Sequence, residues 1–272
     1  MVKNYMKIQI GYEIVYDCAK TTPMILALHP YPNLETPDCL ITIPAISQIT
    51  NYIDNYGNKL SRLVLPEGET KIFSNLIVND SGISDLENVS AGQVPVEELP
   101  DEILIYLLGS RYCETDLFYD LAWDLFGKLP AGWECVQGIC DFVNKQIKFD
   151  YYEACATRTA WDAYNEKIGV CRDYAHLAIA FCRALNIPAR YCTGYLSDIG
   201  EPKPHGIMDF AAWIEVYLDG GWYIFDPRNN KRRIGRIPLA KGRDAADVPI
   251  SNSFGLNKLK EFKVWADEYI EN

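Results

Sequence analysis

Residues 169–177 have the sequence GVCRDYAHL, and this stretch decides how the second half of the chain folds. A glycine-containing turn leads into a strongly helical run, which predicts a central helix over 171–185 that ends at Asn186 and Pro188. Cys171 then lies at the N-terminal end of this helix. The unpaired N–H groups and about half a positive charge at that end favour a thiolate over a thiol. The sequence therefore predicts an activated cysteine.

Two segments downstream predict a β-hairpin that carries an acid. The runs DFAAWIEVY at 209–217 and WYIFDP at 222–227 have strand character, and DGG at 219–221 forms the tight turn between them. Asp226 follows the second strand. A cysteine on a helix, a base on one strand and an acid on the next is the order of a cysteine acyl-transfer site. No histidine lies in the first strand, so the base of such a site is missing from its expected place.

The first hundred residues alternate short apolar runs with turn residues. Alternation at period two is clearest from Met6 to Val15. Further strand-like runs lie at 23–28, 40–43, 51–53, 59–65 and 69–78. Many short strands at regular spacing predict a β-sandwich domain of about seven strands over residues 1–98.

Helical patterns begin after this first domain. Apolar residues spaced three and four apart predict an amphipathic helix over 133–147. Thr159 is the predicted N-cap of a short helix through Asn165. A strand at 189–196 follows the central helix, whereas no pattern places the elements after Ile234.

The composition limits the class of protein. With 272 residues, of which 49% are hydrophobic and 23% charged, the chain is long enough for two ordinary domains and is globular rather than disordered. It contains no run of about 18 apolar residues and no signal-peptide core near Met1, so we expect a cytoplasmic protein. The net charge of −11 argues against nucleic-acid and anionic-membrane partners, because both need a basic surface.

The cysteines and the basic residues give weaker signals. Nine cysteines are scattered without a CxxC pair, whereas zinc sites need closer pairs, so we expect no metal and no other cofactor. Most of the thiols are expected to be buried in a reducing compartment. One basic cluster predicts either solvated loop and edge-strand charge or an anion-binding group near the site. It consists of Lys231, Arg232, Arg233, Arg236, Lys241 and Arg243.

With these motifs in order, the second half resembles the transglutaminase-like, papain-related cysteine enzyme superfamily. The β-rich first hundred residues resemble the N-terminal domain of its bacterial branch. The matching pieces are 159–160, 169–177, 185–191, 194–196, 212–217 and 222–227. The resemblance implies an α+β chain whose residues 99–272 form a papain-like core, with a central helix packed on an antiparallel sheet. It also implies Cys171 as the nucleophile and Asp226 as the acid that orients the base.

The base of the family stands two residues before Trp213, where this chain has Ala211. Alanine can neither accept a proton nor pair with a thiolate, and loss of a triad member commonly lowers the rate by orders of magnitude. Asp209 and His205, which lies in a loop upstream of the strand, are candidate substitute bases. The sequence leaves open whether Ala211 is native or introduced.

The remaining two histidines are expected to be structural. His176 is five residues past Cys171, so it projects roughly 140° away from the cysteine around the helix. We expect it to satisfy a buried hydrogen bond. His29 belongs to the first domain.

Two functions stay open at this point. One is a cysteine protease or amidase that attacks a peptide or side-chain amide and is inactive or severely slowed by Ala211. The other is a pseudoenzyme that binds a peptide or protein in the retained groove without turning it over. No calcium-binding loop pattern is present, so the resemblance does not imply calcium dependence.

Overall fold

The first six strands follow the short apolar runs of the sequence. The structure, a computed structural model, describes residues 6–30, 40–203 and 205–270. All six strands lie on the runs that the sequence pattern predicts, with ends that differ by a few residues in most cases. They are β1 (Met6–Cys18), β2 (Thr22–Leu26), β3 (Ile41–Ile43), β4 (Thr50–Ile53), β5 (Lys59–Leu65) and β6 (Gly68–Asp80).

The second half alternates helices and strands. Its helices are α1 (Tyr119–Phe126), α2 (Trp133–Gln146), α3 (Ala160–Glu166) and α4 (Cys171–Ala184). Its strands are β7 (Lys148–Phe149), β8 (Ile168–Gly169), β9 (Ala189–Leu196), β10 (Ala211–Leu218), β11 (Gly221–Phe225), β12 (Arg236–Gly242), β13 (Ser251–Ser253) and β14 (Asn257–Glu268). Short 3-10 turns occupy 96–98, 101–107, 115–118 and 151–153.

The predicted packing of a central helix on an antiparallel sheet is confirmed. The sheet has the order β11–β10–β9–β12, and all three of its strand pairs are antiparallel. The apolar side of α4, including Leu177 and Phe181, packs in one buried cluster with Ile214 and Val216 of β10. The N-terminal end of α4 lies beside the first residue of β10. Cys171 therefore faces the position on this strand where the base is expected.

The last two strands pair with the first domain. One four-stranded sheet has the order β14–β1–β6–β3 and the other β13–β2–β5–β4, so the two form the predicted sandwich around a shared apolar core. The antiparallel register runs from Ile8 opposite Glu268 to Cys18 opposite Asn257. The sequence prediction gave these residues to the 99–272 unit, but here they supply the hydrogen bonds that one edge of β1 needs.

The sandwich and the core sheet share apolar contacts. Tyr195 of β9, Ile237 and Leu239 of β12, and Phe210 all lie in the buried cluster of the sandwich. The segment just before β10 is therefore anchored by the first domain. Among the described residues, no helix is long and apolar enough to cross a membrane.

Candidate active site

The first turn of α4 is closed by Asp173. One carboxylate oxygen of this fully buried residue accepts a hydrogen bond from the backbone N–H of Val170, at 2.8 Å. A Cβ atom at Gly169 would lie 2.6 Å from the same oxygen, so only glycine fits before the helix. The helix begins at Cys171 because this carboxylate satisfies a backbone donor that the helix itself leaves unpaired.

Two arginines hold Asp173 in place. Arg172 Nη2 lies 3.5 Å from one carboxylate oxygen and Arg158 Nη1 lies 3.4 Å from the other. Arg172 and Asp173, which are adjacent in the sequence, thus form an ion pair at the helix start. Arg158 was missed, because nothing in its local sequence shows that it reaches α4.

Cys171 opens onto a cavity of about 380 Å³. Its thiol lies 4.0 Å from the carbonyl oxygen of Phe210. The cavity is also lined by Ala211, Asp209 and Arg228, so the candidate nucleophile and the position of the family's base do face one space. The packing of α4 against β10 thus brings the thiol and the position of the base together, as predicted, but no imidazole lines the cavity.

The thiol is protonated at neutral pH. Burial, and then the negative charge of Asp209, raise the pKa of Cys171 to about 11, while the charge of Arg228 opposes the rise. The expectation that the helix N-terminus favours a thiolate stays a prediction, and burial of the thiol acts against it. No imidazolium lies in this cavity to stabilise the thiolate.

The three histidines lie outside this cavity. His205 lines a neighbouring cavity, where its Nε2 lies 3.2 Å from the carbonyl oxygen of Glu201. His176 stacks on Tyr112, and its Nε2 accepts a hydrogen bond from the backbone N–H of Ala245 at 3.2 Å, which confirms a buried structural role. His29 Nε2 lies 2.7 Å from the hydroxyl of Ser61 in the sandwich.

Asp209 is the carboxyl group that the structure places with Cys171. Its only hydrogen bond within the described residues comes from the backbone N–H of Phe210, at 2.7 Å. Burial raises the pKa of this carboxyl group above its usual range. A substitute base at this position is therefore in the right cavity, but its negative charge makes the thiol harder to ionise.

Asp226 binds an arginine instead of a histidine. Its carboxylate accepts hydrogen bonds from Arg236 Nη2 at 3.1 Å and from Asn229 Nδ2 at 2.8 Å. Arg236 also forms an ion pair with Asp85 at 3.0 Å. All three charged groups are almost fully buried. Asp226 borders a separate, smaller cavity, so the structure does not bring it into the space that Cys171 faces.

The basic cluster is largely neutralised by carboxylates of the same chain. Arg233 lies 3.0 Å from Asp198, and Arg236 is bound as just described. Further pairs join Lys231 to Glu201, Arg232 to Glu87 and Arg243 to Asp247. The prediction of solvated loop and edge-strand charge holds for Lys231 and Arg232, which are exposed in a loop, whereas Arg233 and Arg236 are buried in ion pairs.

Comparisons with known proteins identify the family and support the fold. A family model described as the transglutaminase-like superfamily matches residues 121–227. The crystal structure of a candidate cysteine protease from Cytophaga hutchinsonii is similar along the whole fold. It is 30% identical, with a TM-score of 0.82, and the match covers 99% of this chain and 92% of that one.

Two mycobacterial relatives are similar over a shorter region. An uncharacterized protein of Mycobacterium leprae is 36% identical over 94 residues, which is 32% of either chain. An uncharacterized protein of Mycobacterium tuberculosis is 39% identical over 117 residues, covering 38% of this chain and 37% of its own length. The match thus spans about a third of the length of these curated relatives.

Proposed function

The chain belongs to the transglutaminase-like superfamily, and from that premise we propose that it binds a peptide or protein amide at Cys171 and turns it over very slowly or not at all. The observation that carries this proposal is the Cys171 cavity, which Ala211 lines in place of a histidine. The scaffold is that of a cysteine acyl-transfer enzyme, and its protease or amidase chemistry is strongly weakened.

The charge state of the thiol supports slow turnover. With a pKa of about 11, only about one thiol in ten thousand is ionised at pH 7. Acyl transfer needs the thiolate to attack the carbonyl carbon and an acid to protonate the leaving amine. Ala211 can supply neither the ion pair nor the proton.

The cavity supports binding of an extended ligand. Phe149 and Tyr151 line it beside Cys171, and Ile207 lies on its rim with 93% of its surface exposed. Apolar walls with a few polar groups are typical of ligand sites. The backbone N–H of Cys171 belongs to the helix N-terminus, where such groups can bind a carbonyl oxygen.

The test compares the native chain with an Ala211→His variant on a library of peptide amides. We expect Cys171-dependent turnover in the histidine variant that exceeds the native rate by about a hundredfold or more, because general-base catalysis contributes about that much. Ala211→Gln controls for the added volume, and Cys171→Ala controls for dependence on the thiol.

Turnover by the native chain at the rate of the histidine variant, abolished in Cys171→Ala, would contradict the proposal. An added Asp209→Asn variant would then show whether that carboxyl group is the base.

A further inference from the structure

Arg228 is a cation in the Cys171 cavity that has no carboxylate partner among the described residues. Within that part of the chain, its guanidinium makes one side-chain hydrogen bond, to Asn229 Oδ1 at 3.3 Å. The other arginine that lines the cavity, Arg233, is bound by Asp198. Arg228 therefore differs from the basic residues that follow it, whose charges are largely matched by neighbouring carboxylates.

The position of Arg228 is fixed from two sides. Asn144 of α2 donates through Nδ2 to the backbone carbonyl oxygens of Pro227 at 3.1 Å and of Arg228 at 2.7 Å. The guanidinium carbon lies 4.1 Å from the centre of the Phe149 ring. A stacked guanidinium loses little further freedom when it binds a ligand, which favours binding.

The charge of Arg228 acts where a ligand would lie. It lowers the pKa of both Cys171 and Tyr151, two groups that line the same cavity. Asp209 also lines the cavity but forms no ion pair with Arg228, because its carboxylate is turned to the backbone N–H of Phe210. The cavity thus keeps one arginine whose planar donors are available to an incoming anion.

We propose that Arg228 binds a carboxylate of the ligand while the ligand's amide lies at Cys171. The guanidinium matches a carboxylate in a two-point geometry that an ammonium group cannot copy. The ligand class is then a peptide or amide with a free carboxylate close to the amide, such as the last residues of a peptide chain. This inference rests on the proposed function, because it specifies the ligand of the same cavity.

The first test compares the alkylation of Cys171 by iodoacetate and by iodoacetamide, followed by mass spectrometry. Both reagents react with the thiolate, so the ratio of their rates is independent of the thiol pKa and reports only the effect of the carboxylate. We expect Arg228→Gln to lower the iodoacetate-to-iodoacetamide ratio by about tenfold, the effect of about 1.4 kcal/mol. The ratio for Arg228→Lys should lie between that of the native chain and that of Arg228→Gln.

Cys155 provides an internal control, because it lies outside the cavity and its ratio should be the same in both proteins. An unchanged ratio at Cys171 in Arg228→Gln would overturn the inference.

The second test measures the binding of two pools of N-acetylated tetrapeptides, one with free C-terminal carboxylates and one with C-terminal amides. We expect the native chain to bind the carboxylate pool about tenfold more tightly, and Arg228→Gln to bind both pools as the native chain binds the amides. Equal binding of both pools by the native chain would overturn the role of Arg228 and leave the proposed function standing. Binding of neither pool would overturn the proposed function, and this inference with it.

Discussion

Cys171 shares its cavity with Asp209, whose negative charge raises the pKa of the thiol beyond the effect of burial. In an active cysteine enzyme the neighbour of the thiol is a cation, which has the opposite effect. The chemistry of this site therefore depends on two acidic groups that compete for ionisation in one buried space. The positive charge of Arg228 opposes this rise in the pKa of the thiol.

The Asp209→Asn variant should lower the pKa of Cys171 from its value of about 11, because removal of a nearby anion favours the thiolate. The rate of Cys171 alkylation by iodoacetamide, measured between pH 7 and 11, should rise at lower pH in the variant. Asp219→Asn, in the turn between β10 and β11, is the matched control. A rate profile that is the same in Asp209→Asn and in the native chain would show that the carboxylate does not act on the thiol.

The order of motifs in the sequence predicted that Cys171 and Ala211 would face each other, and the structure places both in one cavity. The partner of Asp226 could not be predicted, because Arg236 was one of several basic residues in a cluster and Asp85 is 151 positions away from it. Arg228 was missed for a related reason. Only the structure shows which arginines are already bound by carboxylates.

At the scale of the element, the start of α4 decides where the thiol lies. Asp173 caps the helix and is buried between Arg158 and Arg172. The start of α3 provides a comparison. There Thr159 and Asp162 cap each other's backbone N–H groups, whereas at α4 only the Asp173 carboxylate accepts, and among the described residues Asp162 has no ion pair to an arginine. The predicted N-cap at Thr159 is confirmed.

Asp173→Ala should lower the free energy of unfolding by about 3 kcal/mol, because it removes a cap and one of the two carboxylates that pair with the buried guanidinium of Arg158. Asp162→Ala, the matched control in α3, should cost about 1 kcal/mol. Urea unfolding followed by circular dichroism measures both. An equal loss of unfolding free energy in the two variants would mean that the ion pairs of Asp173 with the arginines do not stabilise the fold.

Strand prediction succeeded where a strand is buried on one face, as in β5, or on both, as in β9. β5 and β9 begin and end at the predicted residues. The region after Ile234 could not be predicted, because β12 contains Pro238 beside a shift of register and β14 is exposed along most of its length. Such strands are specified by the partner strand, which lies far away in the sequence, and not by their own pattern.

At the scale of the whole molecule, many ionisable groups are buried in their neutral forms. Burial raises the pKa of Cys113 to about 12 and of Cys135 to about 11, and it lowers the pKa of His176 well below its usual value. The folded chain therefore takes up fewer protons than the unfolded chain in mild acid, and releases fewer in mild alkali.

The free energy of unfolding should consequently fall on both sides of neutral pH. Above about 8.5 the unfolded thiols ionise while the folded ones do not, which costs about 1.4 kcal/mol per pH unit for each buried thiol. Below about 6.5 the unfolded His176 binds a proton that the folded one does not. Urea unfolding at pH 5 to 10 in a reducing buffer measures this, and Cys135→Ala should show a smaller alkaline loss. A constant free energy from pH 7.5 to 10 would contradict the prediction.

The pairing of β1 with β14 has a consequence for biosynthesis. β6 can pair with β1 early, but the other edge of β1 waits for β14, a strand that is synthesised much later. Roughly 180 residues separate β6 from β14, and at about 5–20 residues per second a ribosome needs on the order of 10 to 35 s to add them. During that time the nascent chain presents an unpaired strand edge, which favours association with other chains or with chaperones.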